Sequence, residues 1–329
     1  MNDPAALEWR PIAPSDARRW SQLLAACEAA DGGWVYFTED VLISDFADPD
    51  TDFDRGSVAV YDGPSLAAYG LLTSCSDPTE EHEMRFDGAV HPAYRRQGIG
   101  SQLLDWAETA AVGVHHDRFP ALVLSLSTTC TSTNENAAAL YAAHGYQPTR
   151  WFHAMVQDLG EPPPETAIPA GVQIAGFTPD RTEDARIIRN EAFHDHWGST
   201  EQTVQSWAHF IDFDGFRPEQ SFLAYDGGEP LGLLISHEYD QPAGAQSGRD
   251  LYVAVVATRR AARGRGIASA LLGRALADAA AAGYATASLE VDANSLTRAV
   301  GLYERAGFTL HHATVRHAKV LTGLADSRR

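Results

Sequence analysis

Apolar and polar positions along the chain fall into short alternating runs and longer stretches of helical spacing, and each half shows the same order of the two. In the first half, residues 7–12 form an opening strand. A helix capped by Ser15 or Asp16 then runs to Asp31, where Gly32-Gly33 ends it. Residues 34–48 carry a second helix. Residues 57–61 and 66–74 are strands joined by an Asp62-Gly63-Pro64 hairpin turn. Residues 81–91 are a strand, 101–115 an amphipathic helix, 121–127 a buried strand and 134–144 a short helix ended by Gly145; residues 146–158 supply the last strands. The second half repeats this order. It has a strand at 172–177, a helix at 181–192, a helix capped by Ser199 or Thr200, strands at 221–225, 231–236 and 250–258, and a long helix at 266–282. A strand at 286–291, a helix at 295–305 and tail strands at 308–320 complete it.

Two motifs fix the repeat. Arg95-Arg96-Gln97-Gly98-Ile99-Gly100-Ser101 recurs as Arg263-Gly264-Arg265-Gly266-Ile267-Ala268-Ser269, an offset of 168 (263 − 95). Each copy lies between a strand and a helix. Leu140-Tyr141-Ala142-Ala143-His144-Gly145-Tyr146 returns as Leu302-Tyr303-Glu304-Arg305-Ala306-Gly307-Phe308, an offset of 162 (303 − 141). A repeat of this length is a duplicated domain rather than a solenoid unit. Glu161-Pro162-Pro163-Pro164-Glu165 forms a stiff connector. The expected layout is a domain over 1–158, a proline-rich linker over 159–171 and a second domain over 172–329.

Composition narrows the classes. The net charge of −19 argues against a nucleic-acid partner, which demands a basic face, and suits a cationic acceptor such as an amine. The N-terminal residues show no signal-peptide pattern, and no apolar run is long enough to span a membrane, so a cytoplasmic protein with no membrane partner is expected, as monomer or homodimer. Cys27, Cys75 and Cys130 are too scattered for a metal or disulfide framework. His194-Asp195-His196 lacks a matched third ligand and reads better as an acceptor-facing loop; no metal is expected.

The strand–turn–helix order aims free backbone N–H groups and the positive helix end at one point, a seat for phosphate. Arg-x-x-Gly-x-Gly/Ala resembles the pyrophosphate-binding turn of the GNAT superfamily of N-acetyltransferases, and the Leu-Tyr-x-x-x-Gly-Tyr/Phe motif matches its second signature. The resemblance covers nearly the whole chain. It implies an α/β (α+β) fold of two tandem domains, each a mixed, mostly antiparallel sheet flanked by helices, with acetyl-CoA lying where two central strands splay. It places cofactor pyrophosphate on residues 95–101 and 263–269, and the pantetheine and thioester oxygen against backbone amides near Ala89 and Val90, and near Val256, Ala257 and Thr258. It implies that Tyr141 and Tyr303 stand near the sulfur as proton donors. The family's asparagine at the start of that helix is Asn134 in the first copy; by spacing it is Ser295, beside Asn294, in the second.

An attacking amine must lose a proton. Candidate bases are Glu238, Glu290 and His237 in the second half, and Glu83 and Asp87 in the first. Glu290 alternates with Leu289 and Val291, which directs it away from the core. The layout is most similar to the mycothiol synthase group of this superfamily, and that resemblance implies chemistry in the second copy on a thiol–sugar conjugate. Antibiotics, amino acids, polyamines and peptides remain alternative acceptors, and a CoA-binding sensor or scaffold is the rival to an enzyme.

Overall fold

The computed structural model describes residues 7–31, 38–47, 51–74, 78, 81–160, 166–194, 199, 201–239, 248–294 and 299–322. Their elements in chain order begin with β1 (Glu8–Arg10), α1 (Ala17–Asp31), α2 (Glu39–Ser44), α3 (Phe53–Gly56), β2 (Ser57–Asp62) and β3 (Ser65–Ser74). Next come β4 (Glu81–Val90), α4 (Ile99–Arg118), β5 (Val123–Thr131), α5 (Glu135–Ala143) and β6 (Gln147–Asp158). The second series is β7 (Val172–Gly176), α6 (Thr182–Phe193), α7 (Val204–Ile211), β8 (Phe222–Asp226), β9 (Glu229–His237) and β10 (Asp250–Thr258). It ends with α8 (Ile267–Ala281), β11 (Thr286–Asp292), α9 (Val300–Arg305) and β12 (Thr309–Thr322).

Two compact units result, and each exchanges its last strand with the other. One unit comprises residues 1–151 and 314–329, the other residues 152–313. Residues 152–158 of β6 were expected to close the first sheet; they pair antiparallel with β11 instead. Residues 314–322 of β12 pair antiparallel with β5. The domain limits drawn from the sequence therefore miss both crossings, and the triproline segment lies outside the described residues. Alternation tells a strand which face to bury, but not which sheet edge to join. Two smaller differences stand beside this one. Thr203, rather than Ser199 or Thr200, caps α7 through a bond from the Ser206 N–H, and each half ends in one long strand rather than several.

Within each unit the sheet is mostly antiparallel, with one parallel pair at its centre. β4 pairs with β5 only from Glu81↔Val123 to Arg85↔Ser127. β10 pairs with β11 over three positions, Asp250↔Thr286 to Tyr252↔Ser288. Beyond those points β4 and β10 keep their antiparallel partners β3 and β9, so a gap opens in the middle of each sheet. One helix covers one face: Leu103, Leu104, Ala107, Ala111 and Val114 of α4 pack on Met84, Phe86, Leu124 and Leu126, and Leu271, Leu272, Ala275 and Leu276 of α8 pack on Leu234, Leu251 and Leu289. α8 comes close to the sheet at Gly232, where a Cβ would lie 2.6 Å from Ile267 Cγ2. The other face is closed by α1 and by α6 with α7. Among the described residues no helix is long and apolar enough to cross a membrane.

The exchange makes the C-terminal strand a structural part of the first unit. Deleting residues 314–329 removes the β12 edge, including the Arg316–Glu83 and Lys319–Glu108 ion pairs. The expected result is loss of the first unit's cooperative melting transition in calorimetry, with the second unit's transition retained. An unchanged two-unit melt would show that the exchanged strand is dispensable.

Candidate active site

Each Gly-rich turn is built in the same way. Gly98 and Gly266 stand at the N-caps of α4 and α8 with φ 85° and 82°, and neither helix start has a side-chain cap. The first-turn N–H groups are thereby left to an external acceptor, and the helix dipole favours an anion there. A Cβ at Gly264 would meet no atom within 4 Å, so the face of the turn is open. The two copies differ at one position: Gly264 (φ 78°) corresponds to Arg96, held at φ 64°, a left-handed conformation that is strained for a residue with a side chain.

The first arginine of each motif holds the turn rather than projecting from it. Arg95 donates two hydrogen bonds to the Asp31 carboxylate, at 2.6 and 2.9 Å, and one to the Val90 carbonyl at 3.1 Å. Arg263 donates to the carbonyls of Thr258 at 3.4 Å and Ala192 at 2.9 Å. Both bind the strand end and the C-terminal end of the first helix. Arg265 pairs with Asp226 at 2.6 Å, and Arg96 donates to Asn136 at 3.1 Å. These arginine side chains are thus largely engaged within the protein, which leaves the backbone N–H groups of the turn as the candidate seat. Ala89 and Ala257 face the α1 and α6 sides, while Val90 and Val256 pack toward the α4 and α8 cores.

A second difference lies on the strand before the turn. In β10 the register against β9 shifts between Val253 and Val255, leaving Ala254 without a partner. In β4 the pairing with β3 runs unbroken from Ala68↔Val90 to Ser74↔Met84. A bulge re-aims backbone groups out of the ladder. This one sits where β11 has just parted from β10.

The two motif tyrosines also differ. Both are nearly buried, and burial pushes each phenol up to about 12. Tyr141 is engaged: its hydroxyl donates to the Thr129 carbonyl at 3.3 Å and accepts from Thr128 Oγ1 at 3.4 Å. Tyr303 finds no hydrogen-bond partner among the described residues; its ring packs on Phe308, 6.0 Å between centroids. Asn134 caps α5 through the Ala137 N–H at 3.0 Å. In the second unit Ser295 lies outside the described residues, and the Asn294 N–H donates to Asp292 at 2.8 Å.

The candidate bases separate sharply. Glu83 accepts from Arg316 at 2.5 Å and Ser127 at 2.9 Å, and Asp87 pairs with Arg85 at 2.7 Å. Glu238 accepts from Arg249 at 2.8 Å, from Arg217 at 2.7 Å and from Tyr284 at 2.8 Å. The Arg249 bonds, with those from Arg217 and Tyr284, hold its carboxyl at about 2 against the opposing effect of burial. That is too low to take a proton from an ammonium group, so Glu238 is a structural brace. His237 is buried among rings; burial first, then the Arg217 charge, pushes it down to about 4 and keeps it neutral. Glu290 is exposed between buried Leu289 and Val291, as its alternation requires. Its charge is felt at Tyr252, whose phenol is raised by burial and then by Glu290, with Asp250 contributing as well. Asp250 is the residue that sequence reasoning passed over. It accepts from Thr286 Oγ1 at 2.6 Å and from Ser288 Oγ, and by strand alternation it shares a face with Tyr252. The period-two Thr286 and Ser288 on the neighbouring strand were its one sequence signal. His194, Ser199 and Asn190 line a cavity of about 450 Å³ at the end of α6, within the usual size range for small-molecule sites. Asp195 and His196 lie outside the described residues.

Residues 183–308 match the acetyltransferase (GNAT) family and residues 55–148 match an acetyltransferase (GNAT) domain. The mycothiol acetyltransferase of Pseudarthrobacter chlorophenolicus is 30% identical over 315 residues, covering 92% of this chain and 91% of that protein. The chain belongs to the GNAT acetyltransferase family. The mycothiol acetyltransferase of Thermobispora bispora is 30% identical over 90% of this chain and 93% of its own. Among solved structures, a GCN5-related N-acetyltransferase from Sphaerobacter thermophilus superposes with TM-score 0.79 at 28% identity, covering 97% of both chains. A tandem GNAT protein from the clavulanic acid biosynthesis pathway shares the fold, with TM-score 0.72 at 17% identity over 96% of this chain and 99% of its own. This GNAT protein is accordingly an acetyl-CoA-dependent N-acetyltransferase with two tandem domains of the expected class.

The structural role of Glu238 sets a pH signature. Its carboxyl is depressed in the folded state from 4.5 to about 2, so its contribution is complete above pH 4.5 and disappears as pH falls toward 2. With Arg249 half-exposed, that contribution is discounted to about 2 kcal/mol. Glu238→Gln is expected to lower stability by about this amount at pH 7 while flattening the acid limb of a denaturation series. An activity loss far exceeding the stability loss would return Glu238 to the chemistry.

Proposed function

We propose that the second unit transfers the acetyl group of acetyl-CoA to the primary amine of a small molecule, and that Tyr303 serves the leaving sulfur. The observation that carries this reading is the pair of tyrosines: Tyr141 spends its hydroxyl on Thr128 and Thr129, whereas Tyr303 has no hydrogen-bond partner among the described residues. The register shift of β10 supports the same unit, because it frees backbone at the head of the gap.

The open turn fits a pyrophosphate. Ile267, Ala268 and Ser269 offer N–H groups without a side-chain cap, and the gap between β10 and β11 leads from them toward the bulge. Bound there, acetyl-CoA supplies an activated thioester. The backbone near Val256, Ala257 and Thr258 would hold its chain, and freed amides at the bulge would stabilise the charge that develops on the carbonyl oxygen. Asp250 and Glu290 attract the acceptor ammonium and take its proton, directly or through water. The Tyr303 hydroxyl hydrogen-bonds the sulfur as it departs. Its raised pKa keeps it protonated through neutral pH. Holding the two reactants in one oriented cleft supplies much of the remaining acceleration.

For the acceptor, relatives about 30% identical over nearly the whole chain and named mycothiol acetyltransferase favour a mycothiol precursor; an antibiotic-type amine is the alternative. The scaffold reading is retained for the first unit. Its turn holds the strained Arg96, its candidate bases are ion-paired and its tyrosine is engaged. It keeps an uncapped α4 start that suits CoA binding without chemistry.

Tyr→Phe substitution removes the hydroxyl and keeps the ring. Tyr303→Phe is expected to lower kcat by about 10²-fold or more with acetyl-CoA affinity unchanged, while Tyr141→Phe changes kcat little. The assay is a mass-resolved acceptor screen reading both free CoA and acetylated product. The reverse pattern would place the chemistry in the first unit, and no turnover with any amine would favour the scaffold reading for the whole chain.

A further inference from the structure

The period-two faces of β10 and β11 bring a carboxylate and two hydroxyls together at the point where the strands part. Leu251 and Val253 of β10 and Ala287 and Leu289 of β11 are buried in the α8 core. Alternation therefore puts Asp250, Thr286 and Ser288 on the opposite face. Asp250 pairs directly with Thr286, and Ser288, next on the same face of β11, belongs to the last pair that the two strands make. Thr286 Oγ1 donates to Asp250 Oδ1 at 2.6 Å, and Ser288 Oγ donates to Asp250 Oδ2. Each carboxylate oxygen thus carries one hydroxyl. An ionised carboxylate accepts at about four positions, so each oxygen keeps room for a ligand proton. Ser288 is only 1% exposed. A hydroxyl at that depth needs a partner, and among the described residues its partner is Asp250.

The same face of β10 leads from this carboxylate to the bulge. Tyr252 comes next along it, and then Ala254, which the register shift leaves unpaired and which packs on the α6 and α7 side. An aspartate without such bonds turns easily about its terminal torsion, whose energy well is broad. Hydrogen bonds to both oxygens stop that turn. A base must hold a lone pair on the line of the proton it takes, and a small displacement from that line lowers the rate steeply. We propose that Thr286 and Ser288 are positioning residues that clamp both oxygens of Asp250 in the orientation that receives the acceptor's proton, an inference that rests on acetyl transfer by the second unit. Both hydroxyls act through Asp250 rather than on the reactants.

The test is a double-mutant cycle in kcat, with acetyl-CoA and the mycothiol precursor as substrates. Thr286→Val combined with Ser288→Ala removes both hydroxyls and little volume. The pair is expected to lower kcat about tenfold or more while KM for acetyl-CoA stays unchanged. Replacing the valine by serine, which restores one hydroxyl, recovers part of that loss. Asp250→Asn alone is expected to lower kcat about 10²-fold, and in that background removing the two hydroxyls lowers it no further. Hydroxyls that merely stitched β10 to β11 would give the same loss with or without the Asp250 carboxylate, together with a lower melting temperature and a raised KM. That result overturns the inference, as does wild-type turnover by the hydroxyl-free protein. A crystal structure of the hydroxyl-free protein needs no turnover. Asp250 is expected to leave its wild-type orientation there, and a side chain that keeps it overturns the inference. Absence of CoA release from the wild type counts against the acetyl-transfer reading instead, and the crystal structure then decides the clamp alone.

Discussion

The architecture depends on a parallel strand pair that stops pairing while both strands continue. β10 and β11 share only three positions before they part. Each strand survives the separation because its outer neighbour, β9 or β6, still satisfies its other edge. A gap inside a sheet leaves backbone groups that no neighbouring strand pairs among the described residues, and that gives an extended donor somewhere to lie. The Gly-rich turn then sits at the open end of the gap and the bulge at its closed end. One constraint thus places an anion seat, a channel and a set of amides in line.

Duplication has kept this frame in both units and let the side chains diverge. The first unit has put its polar groups to work on itself: Arg95 on Asp31, Glu83 on Arg316, Tyr141 on Thr128 and Thr129. The second unit spends Glu238 on Arg217, Arg249 and Tyr284, whereas the Tyr303 hydroxyl has no hydrogen-bond partner among the described residues. The Glu238 network has its own use, since it ties together the segments that carry Arg217, Arg249 and Tyr284.

What could be read in the sequence was local. The Gly98 and Gly266 turns, the helices they start and the Tyr141 and Tyr303 helices each sit within a few residues of their signals. The order of strands followed from alternation. The exchange of strands was hidden, because residues 152–158 and 314–322 carry the same alternation whichever sheet they complete. The role of Glu238 was hidden for a related reason: its partners lie 21, 11 and 46 residues away, and only folding shows that three donors converge on it. Asp250 looked like an ordinary strand start until Thr286 and Ser288 came to lie beside it.

The central claim is that the gap in the second unit, with Tyr303 at its side, is where the acyl donor reacts. A crystal structure with a non-hydrolysable acetyl-CoA analogue tests it most directly. The account predicts the analogue's pyrophosphate on the N–H groups of residues 267–269 and the atom replacing sulfur within about 3.5 Å of the Tyr303 hydroxyl. An analogue that occupies only the first unit, or one whose reacting end in the second unit lies beyond hydrogen-bond reach of Tyr303, would contradict it.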